Sequence, residues 1–219
     1  MRLVPVILSN NIDGFRQKIA QAESFTNYAQ IDFTDGKFVP STTIPPAEAA
    51  TVKTRLKLEA HLMVKDPIAY LEALEGMPFV KAFFHYEAVE NHRSLIDRIR
   101  DMDMQVGLAI NPHTTIDDFS DLLEGLNSVL FLTVDPAIYG SPFHVEVLEK
   151  YLQFKDAYPN IEAGFDGGIV LDNLDIIMGV TPDFVCVGHA IFGSPRPDMA
   201  FMEFERLIRG GGAGLRAAE

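Results

Sequence analysis

Eight short apolar runs recur along the chain, and a longer amphipathic stretch follows each of them. The runs lie at residues 3–8, 28–33, 57–62, 79–85, 105–110, 128–134, 161–165 and 184–187, and each reads as a strand. Helical patterns fill the intervals at 14–23, 47–55, 67–75, 90–102, 115–123, 144–157 and 171–178, with a last helix at 198–209. Strands joined by helices form parallel sheets buried on both faces, and eight such units in about 200 residues close into a (β/α)8 barrel. A doubly wound open sheet competes with this reading. That fold often carries a glycine-rich turn after its first strand, whereas here the strand ends in Ser9-Asn10-Asn11. The expected fold class is α/β, a single TIM barrel over residues 1–209, with 210–219 as a flexible glycine-rich tail.

Composition narrows the partners. The chain carries 31 acidic and 18 basic side chains, a net charge of −13, which argues against nucleic acid or an anionic membrane surface. A small anionic ligand stays open, because backbone N–H groups can hold it without entering the charge count. The one cysteine, Cys186, sits in an apolar run and reads as a buried structural thiol in a reducing compartment. No apolar run reaches the roughly 20 residues of a membrane span, and the start does not read as a signal peptide. The expectation is a cytoplasmic protein.

A barrel of this kind places its chemistry where strands end, on the βα loops. Gln30 and Asp32 share one face of the second strand, Glu59 and His61 share one face of the third, and Asp166 closes the seventh. Asp32, His61 and Asp166 therefore converge at the mouth, with Gln30 beside them and Glu59 as an orienter of His61. Two carboxylates and an imidazole suit a divalent metal. Two carboxylates on separate strands also suit proton removal from one face of a carbon and return to the other. Taken singly, a strand-end aspartate is more often a turn former, the reading preferred for Asp35 before Gly36, and a lone histidine is more often structural. Gly167-Gly168 after the seventh strand and Gly188-His189 after the eighth occupy the recurrent phosphate position of the fold, completed by a short extra helix. Arg196 beyond them, the cluster Phe79, Phe83 and Phe84, and the aspartates near residues 97–118 read as surface charge, strand packing and solvated helix faces.

At these residues the chain resembles the ribulose-phosphate 3-epimerase family. Val6-Ile7-Leu8-Ser9 resembles the family's opening strand and its substrate-contacting serine. Asp32-Phe33-Thr34-Asp35-Gly36-Lys37-Phe38-Val39-Pro40 and Glu59-Ala60-His61-Leu62-Met63 resemble its two metal motifs. Phe84-His85-Tyr86-Glu87-Ala88, Val106-Gly107-Leu108-Ala109-Ile110-Asn111-Pro112, Thr133-Val134-Asp135-Pro136, Asp166-Gly167-Gly168-Ile169 and Gly188-His189-Ala190-Ile191-Phe192 follow in order. The resemblance implies an epimerase that inverts C3 of a ketose phosphate, ribulose 5-phosphate or xylulose 5-phosphate, through an enediolate. It implies Asp32 and Asp166 as the acid–base pair, and Gln30, Asp32, His61 and Asp166 around a divalent ion (Zn, Fe, Mn or Mg). It implies Ser9, Met63, Gly140, Gly167, Gly168, Gly188 and His189 at the substrate, and a homo-oligomer for which no sequence stripe marks an interface.

The departures from the pattern carry information too. Gln30 stands where the family has its first metal histidine, Thr34 where it has a methionine, Gly164 where it often has an acid and His189 where it has a serine. Pro136-Ala137-Ile138-Tyr139-Gly140-Ser141 replaces a more glycine-rich loop. An amide oxygen is a weaker zinc ligand than imidazole, so Mg and Mn become more competitive. Two alternatives follow: an epimerase or isomerase for a different ketose phosphate, and a catalytically degenerate sugar-phosphate-binding barrel. Decarboxylases on related barrels use Asp-x-Lys-x-x-Asp, and Asp32-Phe33-Thr34-Asp35 lacks that lysine.

Overall fold

The computed structural model describes residues 1–136 and 141–210. Its strands are β1 (Arg2–Ile7), β2 (Tyr28–Thr34), β3 (Lys57–Met63), β4 (Phe79–His85), β5 (Gln105–Ile110), β6 (Ser128–Leu132), β7 (Glu162–Asp166) and β8 (Phe184–Val187). They close into a barrel in sequence order, β8 returning to β1, with every neighbouring pair parallel. Around it run α1 (Ile12–Phe25), α2 (Pro46–Ala49), α3 (Pro67–Ala73), α4 (His92–Asp101), α5 (Ile116–Phe119), α6 (Glu146–Ala157), α7 (Leu171–Gly179), α8 (His189–Phe192) and α9 (Pro197–Gly210). The expected TIM barrel is the observed fold. Among the described residues no helix is long and apolar enough to cross a membrane.

Local chemistry sets the helix starts. The side chains of Asn11, Asp66 and Asn91 accept from Gly14, Ala69 and Ser94 backbone N–H groups, satisfying donors that the first turns of α1, α3 and α4 leave free. The helix expected over 47–55 stops at Ala49. Thr51 Oγ1 donates to the Glu48 carbonyl, and Thr54 and Arg55 donate instead to Glu23 of α1, so side chains claim this segment for a loop. The helix expected over 115–123 shortens to α5 and continues as a 3₁₀ turn, Ser120–Gly125. The sixth strand ends two residues early, at Leu132, where the Thr133 N–H makes the last bond of its ladder to the Asp166 carbonyl at 2.8 Å and the Thr133 hydroxyl donates to the same oxygen.

The barrel interior is layered. Tyr28, Glu59, Lys81 and Glu162 form a polar floor, with Arg2 at its edge. Val4, Val6, Phe83, Leu130, Leu132, Phe184 and Cys186 pack the middle. Gly107 and Gly164 leave the space that the two large rings fill: a Cβ on Gly107 would sit 2.2 Å from the Phe83 ring, and one on Gly164 2.3 Å from the Phe184 carbonyl oxygen. Phe184 thus stands against the position of the acid that the family often carries. Because that clash is with backbone, Gly164→Ala is expected to cost at least about 1–3 kcal/mol, read as a lower urea midpoint with unchanged m.

Candidate active site

Strand register builds the mouth. Asp32 pairs with His61 across β2 and β3, and Asp166 lies between Leu132 and Cys186 on β6 and β8. Side-chain alternation then turns Gln30, Asp32, His61 and Asp166 inward. His61 Nδ1 lies 3.2 Å from Asp32 Oδ1 and 3.3 Å from Asp166 Oδ2. Gln30 Nε2 donates to the same two oxygens at 2.9 and 2.8 Å. All four side chains are buried or nearly so.

This crowding shifts the ionisation of each group. Burial pushes the Asp32 carboxyl up, against hydrogen bonds from His61 and Gln30 that favour its charged form. Burial disfavours charge on His61 as well, but hydrogen bonds to Asp166 and Asp32 outweigh it and raise the imidazole to about 10. Burial pushes the Cys186 thiol well up, and as a thiol it donates to Gln30 Oε1 at 3.3 Å. That contact fixes the amide with its nitrogen toward the carboxylates.

Asp32, His61 and Asp166 each offer one ligand atom, all within 4.8 Å of one another. Two hard oxygens and one imidazole nitrogen form a donor set suited to a divalent cation. Gln30 fits less directly, since its amide must turn over to present Oε1 as a ligand, leaving its nitrogen toward the Cys186 sulfur.

The other expected residues divide. Ser9, buried just beyond β1, donates from Oγ to the Asn11 carbonyl. Met63 is the buried last residue of β3. Gly167 and Gly168 have φ of +104° and +62°, left-handed values that side chains disfavour, and a Cβ on Gly167 would lie 2.5 Å from Val134. Gly188 leads into α8, the short helix expected there, and a Cβ on it would make only ordinary contact with Val6 at 3.5 Å. His189, the first residue of α8, is exposed. Gly140 lies outside the described residues, as do 211–219 of the expected tail, while Gly210 ends α9.

Glu59 does not orient His61. It lies one layer lower, accepting the Tyr28 hydroxyl at 2.6 Å, because two residues along a strand displace a side chain by a full layer. Asp35 is a turn former: its carboxylate accepts from the N–H groups of Lys37, Phe38 and Lys65. Arg196 pairs with Asp198 at the surface.

The partner of His61 is His85 of β4, their Nε2 atoms 2.9 Å apart and their rings stacked. His85 Nδ1 faces Glu87 at 3.3 Å, and Glu87 also accepts from Asn111 N–H at 2.8 Å and from the Thr114 hydroxyl. Burial lowers His85, whereas Glu87 is held low by its donors against the effect of burial. Strand-end reasoning did not assign this pair a role, although the alternation Lys81, Phe83, His85 turns His85 inward in the same way as His61.

Residues 2–192 match the family model described as Ribulose-phosphate 3 epimerase family. Curated relatives include ribulose-phosphate 3-epimerase of Schizosaccharomyces pombe, 28% identical over 203 residues, covering 90% of this chain and 89% of that one. The cytoplasmic isoform of Oryza sativa subsp. japonica is 28% identical over 219 residues, covering 95% of each. Among solved structures, KGPDC from Streptococcus mutans in complex with D-R5P superposes with a TM-score of 0.73 at 14% identity, over 94% of this chain and 96% of that one, a likeness of fold.

Proposed function

Because the chain belongs to the ribulose-phosphate 3-epimerase family, we propose that it inverts C3 of a ketose phosphate, ribulose 5-phosphate or xylulose 5-phosphate, by proton transfer between two aspartates. One observation carries this reading: Asp32 and Asp166 come from distant strands yet share both the Gln30 amide nitrogen and His61 Nδ1. Two carboxylates that flank one point can serve opposite faces of one carbon.

For one epimer, ionised Asp32 takes the C3 proton while protonated Asp166 holds a proton on the other side. The electron pair left at C3 moves into an enediolate, and Asp166 then delivers its proton to the opposite face. The other epimer reacts with the roles exchanged, so each carboxyl must act in both states. The backbone N–H groups at Gly167, Gly168 and Gly188 supply phosphate contacts without a basic side chain, and Ser9, Met63 and His189 line the substrate's approach. A divalent cation held by Asp32, His61 and Asp166 would supply Lewis acidity toward the enediolate oxygens.

The test is hydrogen exchange at C3. Ribulose 5-phosphate incubated in D2O with the protein and Mg, Mn, Fe(II) or Zn is expected to gain deuterium at C3 and yield the epimer by NMR. Binding of the sugar phosphate with no exchange under any metal would instead establish a catalytically degenerate barrel, a reading favoured by the Gln30 nitrogen facing both carboxylates. A rate ranking led by another ketose phosphate would shift the substrate. Gln30→His is expected to raise zinc occupancy at a given free zinc concentration, measured by equilibrium dialysis; unchanged occupancy would remove position 30 from the ligand set.

A further inference from the structure

A second group of metal-ligating side chains lies on the same rim and uses no residue of the site above. His113 stands in the β5–α5 loop, Asp135 follows β6, and His144 precedes α6. His144 Nε2 lies 3.0 Å from Asp135 Oδ2, and His113 Nε2 lies 3.7 Å from Asp135 Oδ1. All three ligand atoms fall within 4.8 Å of one another. Tetrahedral zinc with bonds of 2.0–2.1 Å sets its ligands about 3.3 Å apart, so a small side-chain adjustment completes the spacing.

We propose that His113, Asp135 and His144 form a second binding site for a borderline first-row divalent cation such as Zn2+. Two features make this more than an ion-pair cluster. The far nitrogen of His144, Nδ1, is tied to Glu146 Oε1 at 2.8 Å, the arrangement in which a carboxylate orients a ligating imidazole and raises its basicity. The backbone is also held before any cation arrives. Lys150 Nζ donates to the carbonyls of Pro112 and Thr114, both at 2.7 Å, fixing the loop that carries His113. His144 N–H donates to the Thr133 carbonyl at 2.7 Å, and Asp135 is braced by the Ser141 hydroxyl. Three protein ligands leave coordination positions for solvent, the pattern of an open site. The cation would join the β5–α5 loop to both flanks of the β6–α6 connection.

The experiment titrates the untagged full chain with ZnCl2 by equilibrium dialysis, beside His113→Ala and His144→Ala. The wild type is expected to bind one more zinc than either variant, or to bind that equivalent at least tenfold more tightly. Zinc is also expected to shift the His113 and His144 imidazole NMR signals of the wild type. His113 has a side chain 78% exposed, so its truncation leaves the packing intact. If His144→Ala does not fold, His113→Ala and the wild-type spectra decide. Equal stoichiometry and affinity in wild type and variants, or imidazole signals indifferent to zinc, would overturn the site. The readouts involve no turnover, so they stand or fall apart from the proposed epimerase activity.

Discussion

Asp166→Asn is expected to lower turnover of ribulose 5-phosphate by about 10²–10⁴-fold, the range for loss of a positioned general acid–base group, and Asp32→Asn should do the same. The amide keeps the shape and the hydrogen bonds to neighbours but can neither take nor deliver the proton. The two variants should differ in one respect. Each retains one carboxylate, so each should exchange the C3 hydrogen of the epimer that its surviving group faces, without inverting it. Complementary exchange, Asp32→Asn on one epimer and Asp166→Asn on the other, identifies a two-aspartate reaction. Metal content measured alongside separates lost proton transfer from lost ligation, since the same two carboxylates stand in the proposed ligand set. Full turnover in either variant would remove that aspartate from the chemistry.

The second large effect lies at the other end of the barrel and concerns stability. Lys81, 1% exposed, meets Glu162 and faces the buried Glu59 carboxyl, whose Oε1 has no hydrogen-bond partner among the described residues. Burial pushes Glu59 up, and the Lys81 charge is the chief influence holding it down. Lys81→Met fills the same volume but leaves the buried Glu59 carboxyl without its chief cation, while Glu162 keeps Arg2 at 3.0 Å, so it is expected to cost about 3–5 kcal/mol in urea unfolding. Adding Glu59→Gln should recover part of that loss, because the charge left without a partner goes with it. A single substitution within 1 kcal/mol of wild type would mean that the floor is solvated rather than paired.

The sequence carried most of the barrel because parallel strands buried on both faces are near-continuous apolar runs, legible without any long-range information. Helices held by caps were legible too, while 47–55 was not, since Thr54 and Arg55 spend their hydrogen bonds on Glu23, a partner 31 and 32 residues away. At the mouth, residue alternation placed Gln30, Asp32, His61 and Asp166 together. It could not tell that Glu59 belongs to the floor, because a shared strand face does not encode depth. Nor could it orient Gln30, whose amide direction depends on Cys186, 156 residues distant. His113, Asp135 and His144 escaped notice for the same reason: each is unremarkable in its own loop, and only the closed barrel makes them neighbours.

The stacked histidines set a rule for where protons reside. Between two Nε2 atoms 2.9 Å apart there is room for a single hydrogen. Ionised Glu87 can only accept, so the hydrogen of neutral His85 belongs on Nδ1, leaving its Nε2 bare. His61 must then donate from Nε2, and its Nδ1, the atom facing Asp32 and Asp166, becomes the one position on that ring free to gain or lose a proton. A carboxylate at the edge of the barrel, with no contact to the acid–base pair, thus determines which nitrogen of His61 gains or loses a proton beside that pair.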